Sequence, residues 1–162
     1  MTATAATDQE MSELIAAFAA RKCESVADIG GSALALTCGL MARWDCDVHL
    51  IDLGAKGGFP EQPSDWIEPY LAALSEAGAE PGRVHVVRSL QELRPVDMVI
   101  NLAGFGDTHK VKHLEPLMHR AFHADSRMIC DIRKGSGAFP FLNDFGSCEI
   151  LWRRSEIGRA HV

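Results

Sequence analysis

The amino-acid sequence predicts a single three-layer α/β domain in which helices cover both faces of a mainly parallel β-sheet. Three observations predict this class. Short apolar segments alternate along the chain with longer segments of helical periodicity. Glycine-rich turns separate several of these segments. The chain of 162 residues, 47% of them hydrophobic, is long enough to bury one sizeable core. Alternating strands and helices favour a parallel sheet that is buried on both sides.

The first predicted elements surround a pair of glycines. A helix is predicted from about Asp8, because apolar residues there share one helical face. A buried strand is predicted over 25–29 and ends at the glycine pair. Ser32 then stands at the N-cap position of a mostly apolar helix over 33–44. The apolar face of the first helix consists of Met11, Leu14, Ile15 and Phe18.

The middle of the chain continues the alternation. A strand is predicted over 47–53, and a loop rich in glycine and proline follows over 54–63. Ser64 is predicted to cap a helix that ends at Gly78. A short strand follows over 84–87. The apolar face of the helix consists of Ile67, Tyr70, Leu71 and Leu74.

The last part of the chain contains the most continuous apolar strand, predicted over 96–102 and followed by a glycine-rich loop over 103–106. A helix is predicted over 114–122, where Pro116 is tolerated in the first turn. The remaining predicted segments are a strand over 128–132, a loop over 133–137 and a strand over 148–152.

Residues 156–162 are predicted to be a non-native tail, because 157–162 match the translation of a common sequencing adapter. We therefore assign residues 1–155 to the domain. We expect the natural chain to continue, and the last strand of the sheet to be missing or supplied by the tail.

Composition restricts the classes of partner. The net charge of −6 and the pI of about 5.6 provide no broad positive field, which disfavours a nucleic-acid partner. The five cysteines are odd in number and widely spaced, as expected for free thiols in a reducing compartment, and Cys38 and Cys130 lie in apolar segments. The sequence has neither a signal peptide nor an apolar run of about 20 residues. A cytoplasmic protein without membrane contact is predicted, with its oligomeric state undetermined.

The candidate site follows from the predicted topology. Ligands of open parallel sheets bind beyond the carboxyl ends of the strands. There, Gly30 and Gly31 would let the backbone approach a ligand, and the following helix offers free N–H groups. Asp52 follows Gly30 at close to the ~20-residue spacing at which an acid accepts hydrogen bonds from ribose hydroxyls. The alternative is that the glycines only tighten a turn and that Asp52 caps a loop.

Residues 26–32 resemble the first motif of the class I S-adenosylmethionine-dependent methyltransferases, and residues 49–52 resemble their second motif. The similarity extends over roughly residues 10–155, through the strand, helix and strand at 97–102, 114–122 and 126–132. Two departures are visible: the third glycine of the first motif is missing, and Ala124-Asp125-Ser126 replaces the usual Pro-Gly-Gly.

The resemblance implies a Rossmann-like fold, S-adenosylmethionine as cofactor, and methyl transfer to an unidentified acceptor. The acceptor is open among a small molecule, a sugar and a protein side chain, and a small molecule is the predicted case. The resemblance places Asp28 and the glycine pair around the amino-acid end of the cofactor, and Ser32 is a further predicted cofactor-binding residue. The resemblance also places Asp52 at the ribose and Ser89 at the adenine.

Methyl transfer depends mainly on positioning, with a base needed only where the acceptor loses a proton. Asn101 and His109 are the candidates for acceptor contact or base; alternatively, Asn101 caps a loop and His109 is exposed. The residues Asp131, Arg133 and Lys134 either meet an anionic substrate group or form a solvated turn.

Metal binding is not predicted, although two histidine pairs have the i, i+4 spacing of a helical face. The first pair is His109 and His113, and the second is His119 and His123. The sequence has no HExxH motif, and Pro116 interrupts a helix through all four.

Two rival functions come from other classes. Residues 100–104 resemble a segment of short-chain NAD-dependent oxidoreductases, but the only tyrosine, Tyr70, lies upstream and has no Tyr-Xaa-Xaa-Xaa-Lys lysine. The Gly-Xaa-Gly-Xaa-Xaa-Gly loop is absent as well. The other rival is a non-catalytic relative that keeps the fold as a binding module, which the short glycine loop favours.

Overall fold

A computed structural model describes residues 22–31, 33–53, 58–106, 115–132 and 138–146, together with 155–156 and 159–160. The strands are β1 (Ser25–Ile29), β2 (Asp47–Ile51), β3 (Val84–Val87), β4 (Val96–Gly106), β5 (Phe122–Ile132), β6 (Ser155–Glu156) and β7 (Arg159–Ala160). The helices are α1 (Leu34–Trp44), α2 (Ile67–Glu76), α3 (Glu115–Ala121) and α4 (Ala138–Phe145), with 3₁₀ turns at Pro81–Arg83 and Leu90–Glu92.

Five strands form one sheet in the order β3-β2-β1-β4-β5, and every pair in it is parallel. The chain builds outward from β1 to β2 and β3, then returns to the other side of β1 with β4 and β5. The strand order therefore reverses beside β1, which is the place where α/β sheets bind ligands. The short strands β6 and β7 form a separate antiparallel pair.

The sheet is buried on both faces, which confirms the predicted α/β class. On one face, Val26 and Leu50 pack in a cluster with Leu36 of α1 and Leu74 of α2. On the other face, Ala27, Ile29 and Val99 pack with Leu117 and Ala121 of α3. Successive residues of β1 alternate between these clusters, because side chains along a strand point to opposite faces. Because both faces of the sheet are covered, β1 is mainly small and apolar, with Asp28 as its one acidic residue.

Several predicted boundaries differ from those observed. The predicted loop at 103–106 continues β4 as a strand. Strand β5 begins at Phe122, directly after α3, rather than at Met128, and its pairing with β4 shifts in register between Val96 and Met98. The first half of β5, where this irregularity lies, lacks the apolar pattern that predicts a strand from the sequence.

Helix α4 was not predicted at all. It carries Pro140 near its start, a position at which proline is tolerated because the first N–H groups of a helix have no partner within it. The helix predicted from Asp8, the loop at 133–137 and the strand at 148–152 lie outside the described residues. Within the described ranges, no helix combines the length and apolarity needed to cross a bilayer.

The two predicted helix caps also differ from the structure. Helix α2 begins at Ile67 with Trp66 at its N-cap position, so the prediction that Ser64 caps this helix is wrong. Helix α1 begins at Leu34 with Ala33 at the cap position, and no side chain caps it. Gly78, with a φ of +94°, follows the end of α2 as predicted.

The starts of β1, β4 and β5 are joined by Asp97. Its carboxylate accepts hydrogen bonds from the Glu24 N–H at 2.7 Å and from His123 Nε2 at 2.8 Å. Partial burial raises the pKa of Asp97, but these hydrogen bonds and the charge of His123 outweigh it, so the pKa lies below its usual value.

We expect Asp97→Asn to lower the free energy of unfolding by about 1 kcal/mol at pH 7, because two hydrogen bonds to a charged acceptor are weakened. The depressed pKa stabilises the fold above the unfolded value of about 3.9, and this contribution disappears as the pH falls through the folded value. Urea unfolding at pH 7 and pH 3 measures it, with substitution of the exposed Asp144 of α4, Asp144→Asn, as control. An equal deficit at both pH values would contradict the assignment.

Candidate functional site

The carboxyl ends of β1, β2 and β4 form one edge of the sheet, here called the carboxyl edge. A turn of two glycines begins it: Gly30 has a φ of +79° and Gly31 a φ of +74°. Both values lie in the left-handed region that glycine adopts without a steric penalty. The Gly30 N–H donates a hydrogen bond of 3.1 Å to the Ile51 carbonyl, so the turn lies directly beside the end of β2.

Asp28 anchors this turn from inside the protein. Its side chain is fully buried, and its Oδ2 accepts hydrogen bonds from the Ala33 N–H at 2.9 Å and the Tyr70 hydroxyl at 2.7 Å. The Tyr70 oxygen also lies 2.9 Å from Thr37 Oγ1. Burial, followed by the charge of Asp28, raises the pKa of Tyr70 above its usual value, so the phenol remains a donor. Asp28 therefore joins the end of β1 to α1 and α2 and fixes the path of the glycine turn.

Asp52 is also fully buried, and protein groups contact both of its carboxylate oxygens. The Ser64 hydroxyl donates to Oδ1 at 2.5 Å, and the Ser64 N–H donates to Oδ2 at 3.1 Å. Arg88 Nε lies 3.4 Å from Oδ2, while its Nη2 donates to the Pro60 carbonyl at 2.9 Å. The loop after β2 thus returns to the acid and supplies a hydroxyl and an amide as donors.

The indole of Trp66 covers the glycine turn. A Cβ atom placed on Gly31 would lie 2.3 Å from Trp66 Cε3, a distance that no real contact allows. The same ring meets Tyr70 edge to face at 5.7 Å between centroids. Since Ser64 contacts Asp52 and Trp66 contacts Gly31, residues 64–66 cover both parts of the predicted cofactor site. This short segment is called the covering segment below.

Asn101 lies at the same edge, on β4, and is 5% exposed. Its Nδ2 donates a hydrogen bond of 3.2 Å to the Ile29 carbonyl, which holds β4 against the last residue of β1. Ser89 follows β3 and precedes the 3₁₀ turn, where its carbonyl accepts the Glu92 N–H at 3.2 Å. The structure therefore brings together most of the predicted site residues at one edge: Asp28, Gly30, Gly31, Asp52 and Asn101.

Other predicted residues cannot be placed in this way. Ser32, His109, Arg133 and Lys134 lie outside the described residues, as does the side chain of Asp131. The partners of the two buried acids are not predicted from the sequence: they are Ser64, Tyr70 and Arg88. Of these three, only Tyr70 has a sequence feature that could have identified it, because its hydroxyl is a polar group on the otherwise apolar face of α2.

The second histidine pair does not share a helical face. His119 lies in α3, 3.4 Å from Glu115 Oε1, whereas His123 lies in β5 and contacts Asp97. Among the described residues, no group of three or more histidine, cysteine or acidic side chains is arranged to hold a metal ion. The pair His109 and His113 lies outside the described residues.

Comparison with known proteins gives matches in structure. No protein-family model and no curated protein matches the chain. The chain is similar to precorrin-6y C5,15-methyltransferase from Geobacter metallireducens, with a TM-score of 0.63 and 12% identity over 90% of this chain and 76% of that one. It is also similar to precorrin 8w decarboxylase from Methanobacterium thermoautotrophicum, with a TM-score of 0.59 and 15% identity over 97% and 85% of the two chains.

A third similar structure is a SAM-dependent methyltransferase from Thiobacillus denitrificans in complex with S-adenosyl-L-homocysteine. Its TM-score is 0.55 at 15% identity, over 77% of this chain and 48% of that one. The chain also spans about half the length of other matched structures, 50% and 54% of two of them. The parallel sheet, its strand order and these similarities agree with the resemblance seen in the sequence. The chain therefore has the Rossmann-like fold of the class I S-adenosylmethionine-dependent methyltransferases.

Proposed function

We propose that the protein binds S-adenosylmethionine at the carboxyl edge and takes part in methyl transfer to a small molecule. One observation carries this proposal: two consecutive glycines with positive φ end β1 directly beside a buried acid that ends β2. Both residues lie where the strand order reverses. Glycine backbone can approach a ligand closely there, and a carboxylate can accept hydrogen bonds from a ribose.

The residues of this edge divide into contacting and positioning groups. Asp52 and the glycine turn would contact the ribose and the amino-acid end of the cofactor, which supplies a methyl group on a sulfonium. Asp28 holds the turn through Ala33 and Tyr70, and Asn101 holds the end of β4 against β1. The acceptor contact predicted for His109 belongs to this proposal.

The donor set around Asp52 fits a ribose, because the acid already binds a hydroxyl and a neighbouring amide. A ribose diol would replace the two Ser64 donors one for one. Trp66 would have to leave Gly31 for the amino-acid end to reach the turn. Binding therefore requires the covering segment to move, and its contacts compete with the cofactor.

Calorimetric titration with S-adenosylhomocysteine tests this proposal. We expect Asp52→Asn to weaken binding at least tenfold, about 1.4 kcal/mol, because the amide loses the charge that strengthens a hydrogen bond to a hydroxyl. We expect Trp66→Ala to strengthen binding, since the competing contact is gone. Asp144→Asn on α4 is the matched surface control. Release of S-adenosylhomocysteine from S-adenosylmethionine with candidate small acceptors then measures transfer.

A second candidate function is a binding module that uses the fold without the cofactor. Its supporting observation is that Asp52 and Gly31 are both engaged by the covering segment. The same titration separates the two candidates. An absence of binding by folded wild-type protein and by folded Trp66→Ala would reject the methyltransferase proposal and favour the module. Binding of NAD in place of S-adenosylhomocysteine would favour the oxidoreductase alternative.

A further inference from the structure

Two histidine rings stack across the outermost pair of strands. His49 of β2 and His85 of β3 are register partners, so their side chains leave neighbouring strands on the same face of the sheet. Their ring centroids lie 4.9 Å apart, and the ring planes differ by 25°. His49 is half-buried and His85 is exposed. Solvent therefore reaches the stack from the side of β3.

Strand β3 lies at one end of the five-stranded sheet, where it pairs with β2 alone. It has four residues, and only the last of them, Val87, is buried. Side-chain pairs between neighbouring strands stabilise a sheet. The stacked histidines are one of the four register pairs that join β3 to β2. Their loss therefore weakens β3 more than it would weaken a central strand, which is paired on both sides.

The stack depends on the charge of its two rings. Neutral imidazole rings stack without electrostatic cost, whereas two imidazolium rings on directly opposite residues repel each other. Burial, followed by the charge of His85, lowers the pKa of His49, while the charge of Asp47 raises it. On the other side of β2, the register partner of His49 is Ala27, which carries no charge. His49 is therefore neutral at pH 7 and above.

The charges beside the pair belong to β2, to the residue before it and to the turn before β3. Asp47, two residues before His49, accepts a hydrogen bond of 2.9 Å from Arg83 Nε, two residues before His85. Arg83 Nη1 also lies 2.8 Å from Asp45 Oδ2. Two acids and one guanidinium leave one negative charge over, which offsets one added proton but not two. A second proton on the pair therefore has no compensating charge in this group.

Strand β3 also holds the buried acid of the candidate site. The Asp52 N–H donates a hydrogen bond of 2.9 Å to the carbonyl of Val87, the last residue of β3. The next residue, Arg88, places its Nε 3.4 Å from Asp52 Oδ2. Detachment of β3 from β2 therefore loosens two contacts of Asp52 at the carboxyl edge.

We propose that the stacked rings of His49 and His85 form an acid-sensitive contact that attaches β3 to the sheet at neutral pH and releases it when both rings carry a proton. In the folded state, His49 binds a proton less readily than in the unfolded chain. Its contribution to stability is therefore complete above the unfolded pKa of about 6.5 and is lost as the pH falls through and below that value. This inference does not depend on the proposed cofactor.

Hydrogen exchange of the full chain at pH 8 and pH 5, corrected for the intrinsic exchange rate at each pH, tests the proposal. We expect segment 84–88 to lose about tenfold or more of its protection at pH 5, while segment 25–29 of the central strand keeps its protection. In His85→Gln, which changes an exposed side chain, we expect the loss in segment 84–88 to fall below about threefold. His119→Gln, at an exposed histidine of α3, is the matched control and should behave as wild type.

A double-mutant cycle of His49→Gln and His85→Gln, measured by urea unfolding at both pH values, isolates the pair from each ring alone. We expect the coupling to be favourable at pH 8 and unfavourable at pH 5. A coupling of the same sign and size at both pH values would overturn the proposal. Equal loss of protection in wild type and His85→Gln, or in segments 25–29 and 84–88, would overturn it as well. If His49→Gln does not fold, the exchange comparison between wild type and His85→Gln decides alone.

Discussion

Replacement of Gly31 by alanine is expected to lower the free energy of unfolding by about 3 kcal/mol. Two costs add. An alanine at a φ of +74° costs about 1–2 kcal/mol, because its Cβ crowds the following carbonyl. The added methyl also overlaps the Trp66 indole at 2.3 Å, and crowding of this kind costs typically 1–3 kcal/mol. Urea unfolding followed by circular dichroism measures the shift in midpoint at constant m-value.

Gly30 provides the matched control, because it has nearly the same φ, +79°, and nothing within 4 Å of an added Cβ. Gly30→Ala should therefore cost only the backbone part, about 1–2 kcal/mol. In a Trp66→Ala background, Gly31→Ala should fall to that same value, since the overlap is removed. Equal costs for the two glycines in the wild-type background would show that the indole does not press on Gly31.

Replacement of Asp28 by alanine is expected to cost a similar amount, about 3 kcal/mol. The substitution leaves the Ala33 N–H without this acceptor and leaves the buried Tyr70 hydroxyl beside Thr37 alone. Each buried donor that loses its acceptor costs about 1–3 kcal/mol. Asp28→Asn keeps an amide oxygen of the same size and should cost roughly half as much. The same urea unfolding measures both variants.

A double-mutant cycle isolates the contact between the acid and the phenol. Tyr70→Phe removes the donor and is expected to cost about 2 kcal/mol, because a buried carboxylate loses a hydrogen bond. The cost of Tyr70→Phe should then drop by at least 1 kcal/mol when Asp28 is already alanine. Strict additivity of the two substitutions would mean that the hydroxyl does not support the acid.

The strands that could be predicted are short, mainly apolar runs between turn residues. Strands β1 and β3 have the predicted bounds, since a short run rich in apolar and β-branched residues between turn residues favours a strand even where, as in β3 at the edge of the sheet, burial is only partial. Strand β5 extends further because Phe122 already pairs with Val96 of β4, and the pairing resumes at Arg127 after a shift in register. This pairing depends on the neighbouring strand rather than on the strand propensity of the residues themselves, so the local sequence does not predict it.

The candidate site was predictable in position but not in its partners. Parallel topology brings strand ends to one edge, so Asp28, Gly30 and Asp52 are neighbours as soon as the strands are identified. The side chains that hydrogen-bond to the two acids come from distant parts of the chain. Tyr70 lies 42 residues from Asp28, and Arg88 lies 36 residues from Asp52. Contacts at such separations depend on how helices and loops pack, which local periodicity does not encode.

The engagement of Asp52 by Ser64 has a consequence for selectivity. A ligand that brings only a sugar diol must displace one hydroxyl and one amide of the protein from the acid, and this competition reduces the net free energy that the diol gains. Under the proposed function, we therefore expect the parts of the ligand beyond the sugar, such as its zwitterionic amino-acid end, to contribute to discrimination. We therefore expect a free nucleoside to bind more weakly than S-adenosylhomocysteine.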